Sequence, residues 1–187
     1  MFARSLMLVG LFSMISGCTG VYVQDEPAPR GNYWEREFDY ATRKGAIWTI
    51  VVGNPYGGSD KEFADLVRKT MYQQNRELPA EFVGNKSDRT SAPYKVVVVF
   101  NKTLSASPDE LCAKSAGNKT IPEKSALRID IAFCNGDTAK SDTSGYAENV
   151  SGIAHPNFAA LIRQATYTML PEPGATEREN QSENILN

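Results

Sequence analysis

Seven residues in the middle of the chain, Tyr94–Phe100 (YKVVVVF), constrain its fold most. Their run of valines is apolar on both faces of an extended backbone, and β-branched side chains favour strands. A strand without a wet face belongs at the centre of a sheet covered on both sides. A second β-branched run, Ile47–Val52, precedes it. Between them, Ser59-Asp60-Lys61-Glu62 matches the S-x-x-E capping box, and Phe63, Leu66, Val67, Thr70 and Met71 follow at helical spacing. The pattern predicts an amphipathic helix from about Asp60 to Gln74, then a short strand within Leu78–Gly84 and a loop over 84–93. Leu127–Phe133 alternates apolar and polar residues, and Asn135-Gly136 signals a hairpin. The return strand, near Thr138–Ala147, is polar and is expected at a sheet edge. His155-Pro156 opens a last helix whose apolar stripe is Phe158, Leu161, Ile162, Ala165 and Met169, and Pro171 and Pro173 stop it. The order β-α-(β)-β-β-β-α predicts an α/β two-layer sandwich, with a mixed, mostly antiparallel sheet and both amphipathic helices on one face.

The N-terminus, MFARSLMLVGLFSMISGC, has one basic residue, Arg4, before a short apolar run over Ser5–Ile15. The run is too short for a mature membrane span, and small residues follow it, as in a secretory signal. Ile15-Ser16-Gly17-Cys18 resembles the bacterial lipobox. That resemblance implies cleavage before Cys18, acylation of its thiol and new amine, and, with Thr19 rather than aspartate next, an outer-membrane address facing the periplasm. The competing reading is an ordinary secretory signal in which Cys18 is incidental. The expected organisation is a signal peptide over 1–17, a lipid-proximal linker over 18–32 rich in Pro and Gly, one domain over 33–171, and a disordered tail over 172–187 with few apolar residues. Loss of Arg4 leaves 19 basic residues against 22 acidic ones, a formal charge of −3. With no basic stripe, this composition argues against nucleic acid and against an electrostatic grip on anionic lipid. If Cys18 carries lipid, Cys112 and Cys134 remain as an even pair in an oxidising compartment, so a disulfide is expected. A metal or thiolate site lacks any C-x-x-C, and His155 is the chain's 1 histidine. Cys112 itself falls where Ser107-Pro108-Asp109-Glu110 predicts an N-cap and a single helical turn.

The glycine-rich turn after Val52, Gly53-Asn54-Pro55-Tyr56-Gly57-Gly58, invites a phosphate-binding reading, but it matches neither the P-loop nor the dinucleotide fingerprint. Asp60 and Glu62 also occupy the helix start with carboxylates. No nucleotide, other cofactor or metal is expected. Residues 32–46 (NYWEREFDYATRKGA) interleave aromatics with charge and fit a strand or a helix equally well. Trp34, Phe38 and Tyr40 either cover an edge of the core, the preferred reading, or dock a partner or the headgroup layer. No G-x-S-x-G elbow or other catalytic motif is evident. The lipobox, VVGNPYGG (51–58), VVVFN (97–101) and FAALIRQATYTMLP (158–171) together resemble small alphaproteobacterial envelope lipoproteins. The element order is also similar to that of outer-membrane lipoproteins of lipopolysaccharide assembly. Two functions compete. One is a non-catalytic lipoprotein that binds or positions an envelope protein partner, which predicts an exposed patch or open strand edge. The other is a periplasmic enzyme or small-ligand binder acting on an envelope component, which predicts a deep pocket with shifted pKa values.

Overall fold

The computed structural model describes residues 20–24, 36–72, 80–102, 107–113 and 126–170. They form an α/β fold built on a six-stranded sheet of order β1-β6-β5-β4-β2-β3. In chain order the elements are β1 (Val21–Val23), α1 (Glu37–Thr42), β2 (Ala46–Val52), α2 (Asp60–Tyr72), β3 (Glu81–Val83), β4 (Tyr94–Phe100), α3 (Pro108–Ala113), β5 (Ala126–Asn135), β6 (Thr138–Glu148) and α4 (Pro156–Met169). The β4 pairings with β2 and of β2 with β3 are parallel, and the other three are antiparallel.

The valine run of β4 is buried throughout, and its alternation divides the core between two faces of the sheet. Val96, Val98 and Phe100 join Ile47, Ile129, Ile131 and Phe133 beneath α1, α2 and α4. Phe63 of α2 meets Phe100 and Phe158 at ring-centroid distances of 5.2 and 5.9 Å, which closes the space between the two long helices. Val97 and Val99 point the other way, to a smaller cluster with Ala132, Cys134, Ala139, Leu111 and Cys112 under α3. The two long helices therefore share one face, as the periodicity predicts, and α3 covers part of the opposite face.

Capping chemistry sets the helix starts. Ser59 Oγ accepts from the Glu62 amide at 3.3 Å. Ser107 and Glu110 cap α3 reciprocally: the Glu110 amide donates to Ser107 Oγ at 3.3 Å, and the Ser107 amide donates to Glu110 Oε2 at 2.9 Å. His155 caps α4, its Nδ1 accepting from the Asn157 amide at 3.2 Å, with Pro156 in the first turn.

Two expectations change. Residues 36–42, undecided between strand and helix, contain the helix α1, because a helix buries Phe38, Ala41 and Thr42 together. β6 is not an edge strand. Val21–Val23, expected within the linker, pairs antiparallel with β6 and forms the margin of the sheet. The polar residues of β6 are accommodated because Ser141 donates to the Met169 carbonyl at 2.6 Å, and a bulge beside Cys134 turns Ala139 to the opposite face. The expected signal peptide and C-terminal tail lie outside the described residues.

Candidate functional site

Of the residues singled out from the sequence, those that are described do not converge on one site. Cys18 and Trp34 lie outside the described residues. Phe38 is buried, packed edge-on against Phe133 at 5.3 Å, so it belongs to the core rather than to a contact surface. Tyr40, two residues on, points outward; it is 43% exposed, with the Arg43 guanidinium 4.0 Å from its ring centroid. A two-residue step on a helix separates side chains to different faces, so the pair cannot act as one docking surface. Cys112 and Cys134 are joined in a disulfide with Cα atoms 5.8 Å apart, which fastens α3 to the end of β5.

The glycine turn is built for its shape. Gly53, Gly57 and Gly58 have φ of 85°, 75° and 82°, values that side chains with a Cβ rarely adopt. Asn54 closes the turn through both ends of its amide: Nδ2 donates to the Gly57 carbonyl at 2.9 Å, and Oδ1 accepts from the Tyr56 amide at 3.1 Å. Tyr56 folds back over Phe63 and Phe158, and its hydroxyl donates to the Val150 carbonyl at 3.3 Å. Burial pushes the Tyr56 pKa up to about 12.

A cleft of about 310 Å³ lies beside the glycine turn, lined by Ile50–Asn54, Asp60 and Phe63, and two others lie at the margins of the sheet. At the β3 margin, a cleft of about 450 Å³ runs between β3 and the last turns of α2, lined by Asp65, Arg68, Lys69, Tyr72 and Glu81–Gly84. Arg68 organises it. Its Nη1 donates to the Thr49 carbonyl at 3.2 Å and its Nη2 to Asp65 Oδ1 at 2.7 Å. Lys61 reaches the other Asp65 oxygen at 2.7 Å, and hydrogen bonds from Lys61 and then Arg68 hold the Asp65 pKa below the usual carboxylate range. The guanidinium passes over Gly84, where a Cβ would stand 3.0 Å from it. Tyr72 is 43% exposed at the rim. Glu81 pairs with Arg89 at 2.9 Å and its amide bonds the Gly45 carbonyl, so alternation turns the backbone groups of Phe82 away from β2. Among the described residues no strand pairs with this outer side of β3.

At the opposite margin, Tyr22 of β1 and Tyr146 of β6 stand directly across from each other with stacked rings, centroids 5.7 Å apart. They line a shallow cleft of about 290 Å³ with Gln24, Arg128, Asp130 and Ser144. Burial raises the Asp130 pKa, and Asp142 adds to the rise, while Lys102 and Arg128 oppose it. Neither margin stood out in the sequence. Val21-Tyr22-Val23 alternates like a strand, but three residues among prolines and glycines are a weak signal, and the β3 cleft forms only where the end of α2 and the following strand β3 fold back beside each other.

No family model matches the chain, and no curated protein matches it. Among solved structures, a dodecameric variant of PelC from Paraburkholderia phytofirmans overlaps 82% of this chain and 98% of its own, with a TM-score of 0.38 and 9% identity. At that overlap the likeness carries nothing over to this protein. No helix among the described residues is long and apolar enough to cross a membrane.

Proposed function

We propose that this protein is a lipoprotein of the cell envelope, anchored through Cys18 in the outer membrane and facing the periplasm, which binds or positions a protein partner without catalysing a reaction. The observation that carries the reading is the β3 margin, with whose outer side no strand pairs among the described residues. A short edge strand there stands beside a cleft whose rim mixes an exposed tyrosine with charges of both signs. Such a surface suits a partner segment better than a small molecule. Tyr72 offers an apolar anchor of the kind enriched at interfaces, and the Lys69 and Glu81 charges can set register. Three residues of strand leave few free backbone groups, which limits self-association through this edge.

The test is photocrosslinking in intact cells, with p-benzoylphenylalanine placed at Tyr72 or Glu81. A discrete protein adduct that disappears when Lys69→Glu and Arg89→Glu are combined supports the reading. Adducts only to bulk abundant proteins, unchanged by those substitutions, overturn it.

A further inference from the structure

We infer that the opposite margin of the sheet, carrying the stacked Tyr22 and Tyr146 and followed by Ile153 in the turn after β6, rests in the phospholipid headgroup layer and sets the orientation of the domain on its membrane. The inference depends on acylation at Cys18. Its lever is β1. The Gly20 carbonyl accepts from the Glu148 amide at 3.0 Å, so the chain has already joined the sheet at Gly20. Two peptide links separate Gly20 from Cys18, a span of about 7 Å at full extension. The tether that the sequence suggests, a linker reaching as far as residue 32, is thus cut to two steps. A domain held this closely cannot stand away from the lipid, and one margin must face it.

The exposed apolar side chains divide to match. Six large ones stand out among the described residues: Tyr22, Tyr40, Tyr72, Tyr146, Ile153 and Tyr167. Tyr22 is 64% exposed, and Ile153, in the turn that leaves β6 after Glu148, is 50% exposed. Tyr22 and Tyr146 stack at the margin formed by β1 and β6, on the face turned away from α4, and Ile153 lies in the turn between the end of β6 and α4, at the end of the sheet where the tether joins. Tyr40 packs against Tyr94 at the start of β4, Tyr72 closes α2 beside Glu81, and Tyr167 lies in the last turn of α4, whose end bonds Ser141 near the start of β6. Those three occupy the other end of the sheet. Tyrosine suits the headgroup layer because its ring is apolar and its hydroxyl stays wet. Arg128, paired across the sheet with Tyr146, supplies a guanidinium that can fork onto a lipid phosphate. Among the described residues no strand pairs with the outer side of β1, and the headgroup layer would cover that margin, which folded proteins rarely leave bare.

The experiment uses the mature, acylated protein reconstituted into vesicles of phosphatidylethanolamine and phosphatidylglycerol. p-Benzoylphenylalanine is placed in turn at each of the six exposed positions, and phospholipid adducts are read by mass spectrometry after irradiation. Adducts from Tyr22, Tyr146 and Ile153, with background at Tyr40, Tyr72 and Tyr167, are expected. Nitration of the unsubstituted protein by tetranitromethane gives a reading free of folding defects: vesicles should protect Tyr22 and Tyr146 but not Tyr40, Tyr72 or Tyr167. Equal adducts at both ends, or no protection at Tyr22 and Tyr146, overturn the inference. The intact mass separates the two readings. A protein without acyl chains on Cys18 refutes the anchor, whereas an acylated protein without the adducts refutes only the orientation.

Discussion

Gly145 shows how one missing methyl group permits the β1 margin to exist. A Cβ built there would stand 2.7 Å from the Tyr22 carbonyl oxygen, 2.9 Å from Val23 Cγ2 and 3.0 Å from Leu161 Cδ1, so β1 and α4 approach β6 only because this residue has no side chain. Gly145→Ala should destabilise the fold by about 1–3 kcal/mol, the usual range for overpacking, and should speed amide exchange in residues 21–23 more than in β4. Gly152→Ala, where nothing lies within 4 Å, is the control for the helix-side turn. Urea unfolding with hydrogen exchange by mass spectrometry reads both. Asp130 makes a second residue-scale prediction. Burial raises its pKa above the ordinary 3.8, so the native state holds the proton more tightly than the unfolded chain does. The ionised form therefore lowers stability above the folded pKa, and that cost vanishes as the pH falls below 3.8. Asp130→Asn should raise the melting temperature at neutral pH, with the gain shrinking through the acidic range and absent at its lower end. A gain independent of pH would sink this account.

At the scale of elements, the disulfide and a buried polar cluster hold the same end of the sheet. Cys112–Cys134 closes a loop of 22 residues' separation between α3 and β5. In the chain-entropy model such a link contributes roughly 3 kcal/mol, so reduction should lower the urea midpoint accordingly and loosen α3 before the sheet. Alkylation mass spectrometry of the unreduced protein should find neither cysteine free. Nearby, the buried Glu37 of α1 accepts from Asn135 at 3.2 Å and from the Tyr94 hydroxyl, and Lys140 stands 3.5 Å from it. Burial, then the Glu37 charge, pushes the Tyr94 pKa up. Lys140 occupies the β6 bulge, which gives that irregularity a consequence: it brings an ammonium group within 3.5 Å of the Glu37 side chain. The pairing of α1 with the β5–β6 hairpin thus depends on polar contacts as well as on Phe38.

For the molecule as a whole, β1 and β3 with its cleft lie at the two opposite margins of the sheet, and the proposed anchor at Cys18 falls on the β1 side. Cys18→Ala should release the protein from the membrane fraction without changing its melting temperature, checked by fractionation and by loss of labelled palmitate. Retention of both label and membrane association would rule out the anchor. Local chemistry was legible along the chain. Val96–Val99 demanded a strand buried on both faces, Ser59-Asp60-Lys61-Glu62 started α2 where it begins, and Pro108 with Ser107 placed the turn carrying Cys112. Each depends on neighbours within a few residues, so periodicity and capping reveal it. What the sequence could not convey was partnership across distance. Val21-Tyr22-Val23 is a strand only because β6 offers it hydrogen bonds more than 120 residues later and Gly145 leaves room. Phe38 is interior and Tyr40 exterior only because α1 lies down on Phe133. The candidate surfaces form from segments that folding alone brings together, and a pattern of spacing within one segment carries no trace of them.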